Sequence, residues 1–256
     1  MDCKPYLRAH ADELIESLAA LIRIPSVEGT PEYGAPYGRE VARCLRETLA
    51  LCEKLGFRTG NMDHRVGWCE YGEGEEMIAV LGHLDVVPAG DGWSEAEPFS
   101  GEVKNGRIYG RGAMDDKGPV VAAIYALAAL KDAGFAPARR IRILFGTNEE
   151  TGCGDMAWYR EHGGEKPVMG FTPDGEYPVI NGEKGILNGT FARRLHQTGV
   201  YRLTRLEGGT ASNVVPAYAV AELQCPADAA GRITGEKITV TLLILFCRMI
   251  SVSFSL

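Results

Sequence analysis

The sequence predicts an α/β fold, a mostly parallel sheet flanked by helices, with the start of a smaller α/β domain behind it. Three observations lead there. Short apolar runs recur at Met77–Leu81, Arg142–Phe145 and Val168–Phe171, and each is followed by a polar loop. Runs apolar on nearly every residue suit strands buried on both faces, as parallel strands are. Helical patterns lie between and before these runs. The 256 residues carry 45% apolar and 24% charged side chains, enough for a sizeable core.

Taken in order, Leu7, Leu14, Ile15, Leu18, Leu21 and Ile22 fall at helical spacing, and Pro25 stops the helix. A second helix is expected from Arg39 to Leu55, with Val41, Leu45, Leu49 and Leu55 inward and Gly56 as its stop. Short β segments follow over Phe57–Tyr71. After the run Met77–Leu81, the triplet Lys104-Asn105-Gly106 reads as a hairpin turn. A long helix fits Pro119–Ala133, with Pro119 in its first turn and Gly134 at its end. Beyond Asp174 the chain becomes rich in Thr, Val and Tyr, which places the start of a second, more β-rich domain near Ile186. The expected divisions are 1–185, 186–240 and an apolar tail over 241–256.

That tail belongs to a 19-residue apolar stretch, Ile238–Leu256, with Arg248 in its middle. A membrane helix needs about 20 apolar residues, and an arginine near the bilayer centre costs roughly 2.5–3.5 kcal/mol. A strand running into an aberrant end is the expected form, not a membrane anchor. The net charge of −7 argues against nucleic acid as a partner, since phosphate neutralisation needs a basic face. Seven widely spaced cysteines without a C-x-x-C pair indicate neither a disulfide framework nor a thiolate zinc site. Inert thiols in a reducing compartment, together with an N-terminus lacking an apolar leader, make the cytoplasm the expected location.

The chemistry follows from position. Each apolar run ends in a loop bearing metal-type ligands: His83 and Asp85, then Glu149 and Glu150, then Asp174. A fourth loop, Met114-Asp115-Asp116-Lys117-Gly118, enters the long helix. Sites in open α/β sheets lie outside the carboxyl ends of the strands, so these groups are expected to meet at one edge. One histidine with several carboxylates suits Zn²⁺, or Mn²⁺ or Co²⁺. Residues i and i+2 of an extended chain share a side, so Asp85 can hold one imidazole nitrogen of His83 while the other faces a metal. Taken singly, each signal has a plainer reading. His83-Leu84-Asp85 can be a capped turn, Glu149-Glu150 and Asp115-Asp116 solvated helix starts, and Asp174 a turn residue. Their joint placement is what favours a metal site.

Four motifs in order, GHLDVVPAGDGW, GRGAMDDKGP, GTNEETG and FTPDGEYPVINGEKG, resemble the zinc aminopeptidase–carboxypeptidase–deacylase superfamily, and most closely its PepV-type dipeptidases. The likeness covers about Tyr6–Leu223. It implies a catalytic α/β domain with an inserted α/β lid, and hydrolysis of short peptides by a metal-activated water. By the same resemblance, His83 and Asp174 hold one zinc, Asp115 bridges two, Glu150 holds the second, Asp85 orients His83 and Glu149 is the general base. Asn213, in GGTASNVVP, matches a lid asparagine that fixes the substrate carbonyl. Desuccinylases and deacetylases share these motifs, so an N-acyl amino acid is the alternative substrate. The chain is about half the expected length, and the resemblance implies a further histidine ligand and a lid G-x-x-A-H motif that it lacks. A truncated, inactive remnant is therefore a third reading.

Overall fold

Among the 256 residues, the computed structural model describes 2–175, 180, 182, 185, 189–190, 192, 194–209 and 219–226. The chain divides into two compact units, Met1–Ile180 and Asn181–Leu256. The expected domain start at Ile186 and the apolar tail lie outside the described residues.

The first unit opens with helices α1 (Lys4–Ala9) and α2 (Ala11–Ile22) where the periodicity suggested one. The break falls at His10, whose φ of −109° leaves the helical range. Its ring stacks on Tyr6 with centroids 4.0 Å apart, and Nδ1 meets the Tyr6 carbonyl at 2.9 Å, competing with the regular ladder. Helix α3 (Arg39–Lys54) follows. Strands β1 (Arg58–Met62) and β2 (Val66–Tyr71) form a hairpin whose turn residues Asp63 and His64 both have positive φ. Strand β3 (Met77–His83) comes next, then the small hairpin β4 (Glu102–Lys104) and β5 (Arg107–Tyr109). Asn105 and Gly106 turn that hairpin at φ 53° and 71°, the pairing expected of a tight Asn-Gly loop. Helix α4 (Lys117–Asp132) starts two residues before Pro119, with Asp116 at its N-cap position but making no side-chain capping bond. Strand β6 (Arg140–Gly146), helix α5 (Gly154–Glu161) and strand β7 (Met169–Phe171) complete the unit.

The main sheet has the order β1-β2-β6-β3-β7. Strand β3 is parallel to both β6 and β7, whereas β2 runs antiparallel to β1 and β6, so only β2 opposes the rest. Alternation along β6 fills two layers. Ile143 and Phe145 pack with Leu45, Leu49, Ile124 and Tyr125 beneath the α1–α4 layer, while Leu144 packs with Val66, Met77 and Tyr159 of α5. Side chains buried this completely contribute about 1.5–3 kcal/mol each. The third apolar run departs from expectation. Val168, Met169 and Phe171 are more than half exposed, because β7 is an edge strand with a described neighbour on one side only.

In the second unit, β8 (Arg202–Gly208) and β9 (Ala219–Gln224) pair antiparallel with an irregularity at Leu203–Arg205. Among the described residues, no helix is long and apolar enough to cross a membrane.

Candidate metal centre

The parallel register sets the geometry. His83, the last residue of β3, pairs with Gly146, the last of β6, so Thr147–Glu150 leaves the sheet beside the imidazole. Strand β7 runs alongside β3 in the same direction, and Asp174 follows three residues after its end. Asp115 and Asp116 stand immediately before α4, joined by a cis peptide.

Small residues make room for this arrangement. A side chain at Gly82 would meet Val120 Cγ2 at 2.5 Å and Asp116 Oδ2 at 2.6 Å. Lys117 is fully buried and anchors the loop from below. Its ammonium donates to the Leu21 and Ile24 carbonyls at 2.9 and 2.8 Å, adding a charged donor to the backbone bonds that these groups accept from Ile24 N and Ser26 N just past the end of α2. Burial lowers the pKa of Lys117.

His83 is the hub. Its Nδ1 donates to the Asp85 carbonyl at 3.0 Å and lies 3.4 Å from Asp85 Oδ1. Its Nε2 faces Asp115 Oδ1 at 3.0 Å, Asp174 Oδ2 at 3.4 Å and Glu149 Oε2 at 3.9 Å. Two sets of donor atoms each fall within 4.8 Å of one another: His83, Asp116 and Asp174, and His83, Asp115 and Glu150. Glu150 Oε1 also accepts from Val87 N at 3.3 Å. The carboxylate of Asp85 is turned mainly to the neighbouring loop, where its oxygens accept from Glu149 N at 3.2 Å and Glu150 N at 3.1 Å.

The resemblance names Asp115 of the doublet and not Asp116. Asp116 is fully buried, and Oδ2 accepts from the His83 backbone N at 3.1 Å. Its Oδ1 is buried with no hydrogen-bond partner. The doublet Asp115-Asp116 was the available signal, but spacing alone does not say which carboxylate turns inward. Asn213 lies outside the described residues.

The electrostatics are those of six carboxylates around one imidazole. Burial works against protonation of His83, but the Asp115 and Asp85 hydrogen bonds and the Asp116 charge outweigh it and raise its pKa to about 11. The His83 bond holds Asp115 below its ordinary range. Burial, then the charges of Asp174 and Asp115, push Asp116 up to about 7 despite the opposing pull of His83. Burial and Asp115 likewise raise Glu150 to about 7. Glu149 is raised by burial first, then by Asp174 and its acidic neighbours, with His83 opposing. Hard oxygen donors with one imidazole are the ligand set of a divalent metal such as Zn²⁺ or Mn²⁺, and the unpartnered Asp116 oxygen fits such an ion. With Nδ1 committed to Asp85, Nε2 is the nitrogen that would offer a lone pair to a cation, once the cation has displaced the proton it shares with Asp115.

Residues 79–243 match the model of Peptidase family M20/M25/M40. The putative dipeptidase YtjP of Bacillus subtilis (strain 168) is 43% identical over 220 residues, which are 84% of this chain and 47% of that protein. The Beta-Ala-Xaa dipeptidase of Lactobacillus delbrueckii subsp. lactis is 38% identical over 232 residues, 88% of this chain and 48% of that protein. Among solved structures, human carnosine dipeptidase 1 is similar with a TM-score of 0.57 and 25% identity over 68% of this chain and 41% of that one. An M20 family metallo-carboxypeptidase, Sso-CP2 from Sulfolobus solfataricus, shares the fold with a TM-score of 0.53 and 24% identity, over 64% of this chain and 37% of that one. The chain spans about half the length of the curated relatives it matches.

Proposed function

The chain belongs to peptidase family M20/M25/M40, and from that premise we propose that it carries the metal-holding part of a dinuclear zinc dipeptidase acting on short peptides. The observation that carries the reading is the pair of donor sets that share His83 at the carboxyl ends of parallel strands. The dipeptidase names of the similar chains favour a peptide over an N-acyl amino acid as substrate.

His83 and Asp174 would hold one cation, Glu150 the other, and Asp115 would lie between them; Asp116 is a further donor on the His83 and Asp174 side. A bound divalent pair supplies Lewis acidity, lowering the pKa of a water toward ~7 and polarising the peptide carbonyl. The chain's own residues do the rest. Asp85 keeps the imidazole oriented through Nδ1. Glu149 is half exposed and reaches within 3.9 Å of His83 Nε2, so its Oε2 stands where it can take a proton from the attacking water. The same oxygen then delivers that proton to the leaving amine. The raised pKa of Glu149 brings it closer to the working range of a general base. Asn213 is proposed, on the resemblance alone, to contact the substrate carbonyl.

Two measurements test this. Purified chain should bind Zn²⁺, read by mass spectrometry after gel filtration, and His83→Ala should lose it; equal zinc in both would overturn the site. Dipeptides and N-acyl amino acids should then be compared as substrates of the zinc-loaded chain. Faster cleavage of the N-acyl amino acids would replace the dipeptidase reading with a deacylase.

A further inference from the structure

The loop after β6 turns four consecutive backbone N–H groups inward, and two buried carboxylates receive all four. Asp155 Oδ2 accepts from Thr147 N at 2.6 Å and Asn148 N at 3.2 Å. Asp85 accepts from Glu149 N and Glu150 N at 3.2 and 3.1 Å. Thr147, Asp155 and Asp85 are each at most 1% exposed, so bulk water cannot take over these bonds. The other oxygen of Asp155 accepts from Met156 N at 2.7 Å, which ties the carboxylate to the first turn of α5. Asn148 closes the loop on itself. Its Oδ1 accepts from Gly154 N at 3.1 Å, and its amide donates to Thr151 Oγ1.

An acid that only served the start of α5 would satisfy that helix's own first N–H groups. Asp155 serves α5 with one oxygen, through Met156 N, while the other reaches back seven and eight residues to the two amides next to those held by Asp85. With the backbone fixed on its inner side, the Glu149 and Glu150 side chains are left on the side of His83. We infer that Asp155 is a positioning residue of the metal centre, setting the loop that presents Glu149 and Glu150. This rests on the metal-centre reading above.

The test is a Co²⁺ titration of the 256-residue chain, followed by visible absorption, with wild type, His83→Ala, Asp155→Asn and Asp155→Ala. Groups that orient ligands typically change metal affinity about 10–100-fold when removed. Both Asp155 variants should weaken Co²⁺ binding in that range and alter the ligand-field spectrum at saturation, which lost stability alone would not do. Wild-type affinity and spectrum in Asp155→Asn would overturn the inference while leaving the metal centre intact. Failure of wild type to bind, or binding equal in His83→Ala, would overturn the metal centre and the inference with it. Should both variants misfold by circular dichroism, hydrogen exchange of wild type decides: the amides of residues 147–150 must be protected, and rapid exchange there refutes the arrangement.

Discussion

The Asp116 carboxylate occupies the space that a side chain at Gly82 would need, 2.6 Å from where its Cβ would stand. Val120 Cγ2 is 2.5 Å from the same position, so a methyl group there must displace two buried side chains. Gly82→Ala should therefore cost about 1–3 kcal/mol, the usual range for overpacking a close-packed core. At roughly 2–4 °C per kcal/mol for a domain of this size, thermal melting should show it plainly. The same variant should bind Zn²⁺ more weakly. An unchanged melting temperature would mean that the sheet and α4 separate easily.

Glu149 and Glu150 are adjacent in sequence but should separate in function. Glu149→Gln should leave zinc content intact and lower turnover, since a general base does not hold the metal. Glu150→Gln should lower both, because Glu150 belongs to a donor set with His83 and Asp115. Metal analysis alongside a dipeptide assay separates the two, and matched zinc loss would contradict the division.

Metal binding should depend on pH near neutrality. Asp116 and Glu150 both have pKa values raised to about 7, and a ligand must shed its proton to bind. Zinc affinity should rise between pH 6 and 8, with protons released, as calorimetry in buffers of different ionisation enthalpy would show. The metal-free chain should behave oppositely. For a carboxyl raised in the folded state, its stabilising contribution is present below the unfolded pKa and lost as pH rises through about 7. Chelator-treated protein should accordingly melt lower at pH 8 than at pH 6, and added Zn²⁺ should reverse that order.

Lys117→Met keeps the length of the side chain and removes its three donors. The Leu21 and Ile24 carbonyls would lose their ammonium partner but keep the backbone donors Ile24 N and Ser26 N, so each lost bond should cost about 0.5–1.5 kcal/mol. Equilibrium denaturation should show a loss of roughly 1–3 kcal/mol on that basis. A loss below ~0.5 kcal/mol would mean that the backbone donors alone satisfy those carbonyls and that Lys117 does not hold the loop.

Much of this architecture is legible from the sequence where periodicity is unambiguous. The runs at Met77 and Arg142 and the helical pattern after Pro119 are strands β3 and β6 and helix α4. The run at Val168 misled as to burial, because hydrophobicity does not distinguish a central strand from an edge strand. The break at His10 was hidden because Tyr6 and His10 hold a local stacking arrangement that the apolar spacing does not encode. At the site, residue type and position after a strand marked His83, Glu149, Glu150 and Asp174. The inward turn of Asp116 and the reach of Asp155 to Thr147 depend on backbone direction in a loop, which no side-chain pattern reports.

The register His83↔Gly146 joins residues far apart in the chain, with all of α4 between them. Parallel strands cannot pair until their crossover has formed, and such non-local closure makes folding slow. During synthesis, the nascent chain reaches His83 and Asp115 long before Glu150 and Asp174, so early on there is no assembled set of donors to compete for a cation. On the proposed metal-centre reading, cation capture would therefore belong to a late folding event, after the crossover has closed. From then on a bound ion would draw the population toward the native state by mass action, since it finds no assembled donor set in the open chain.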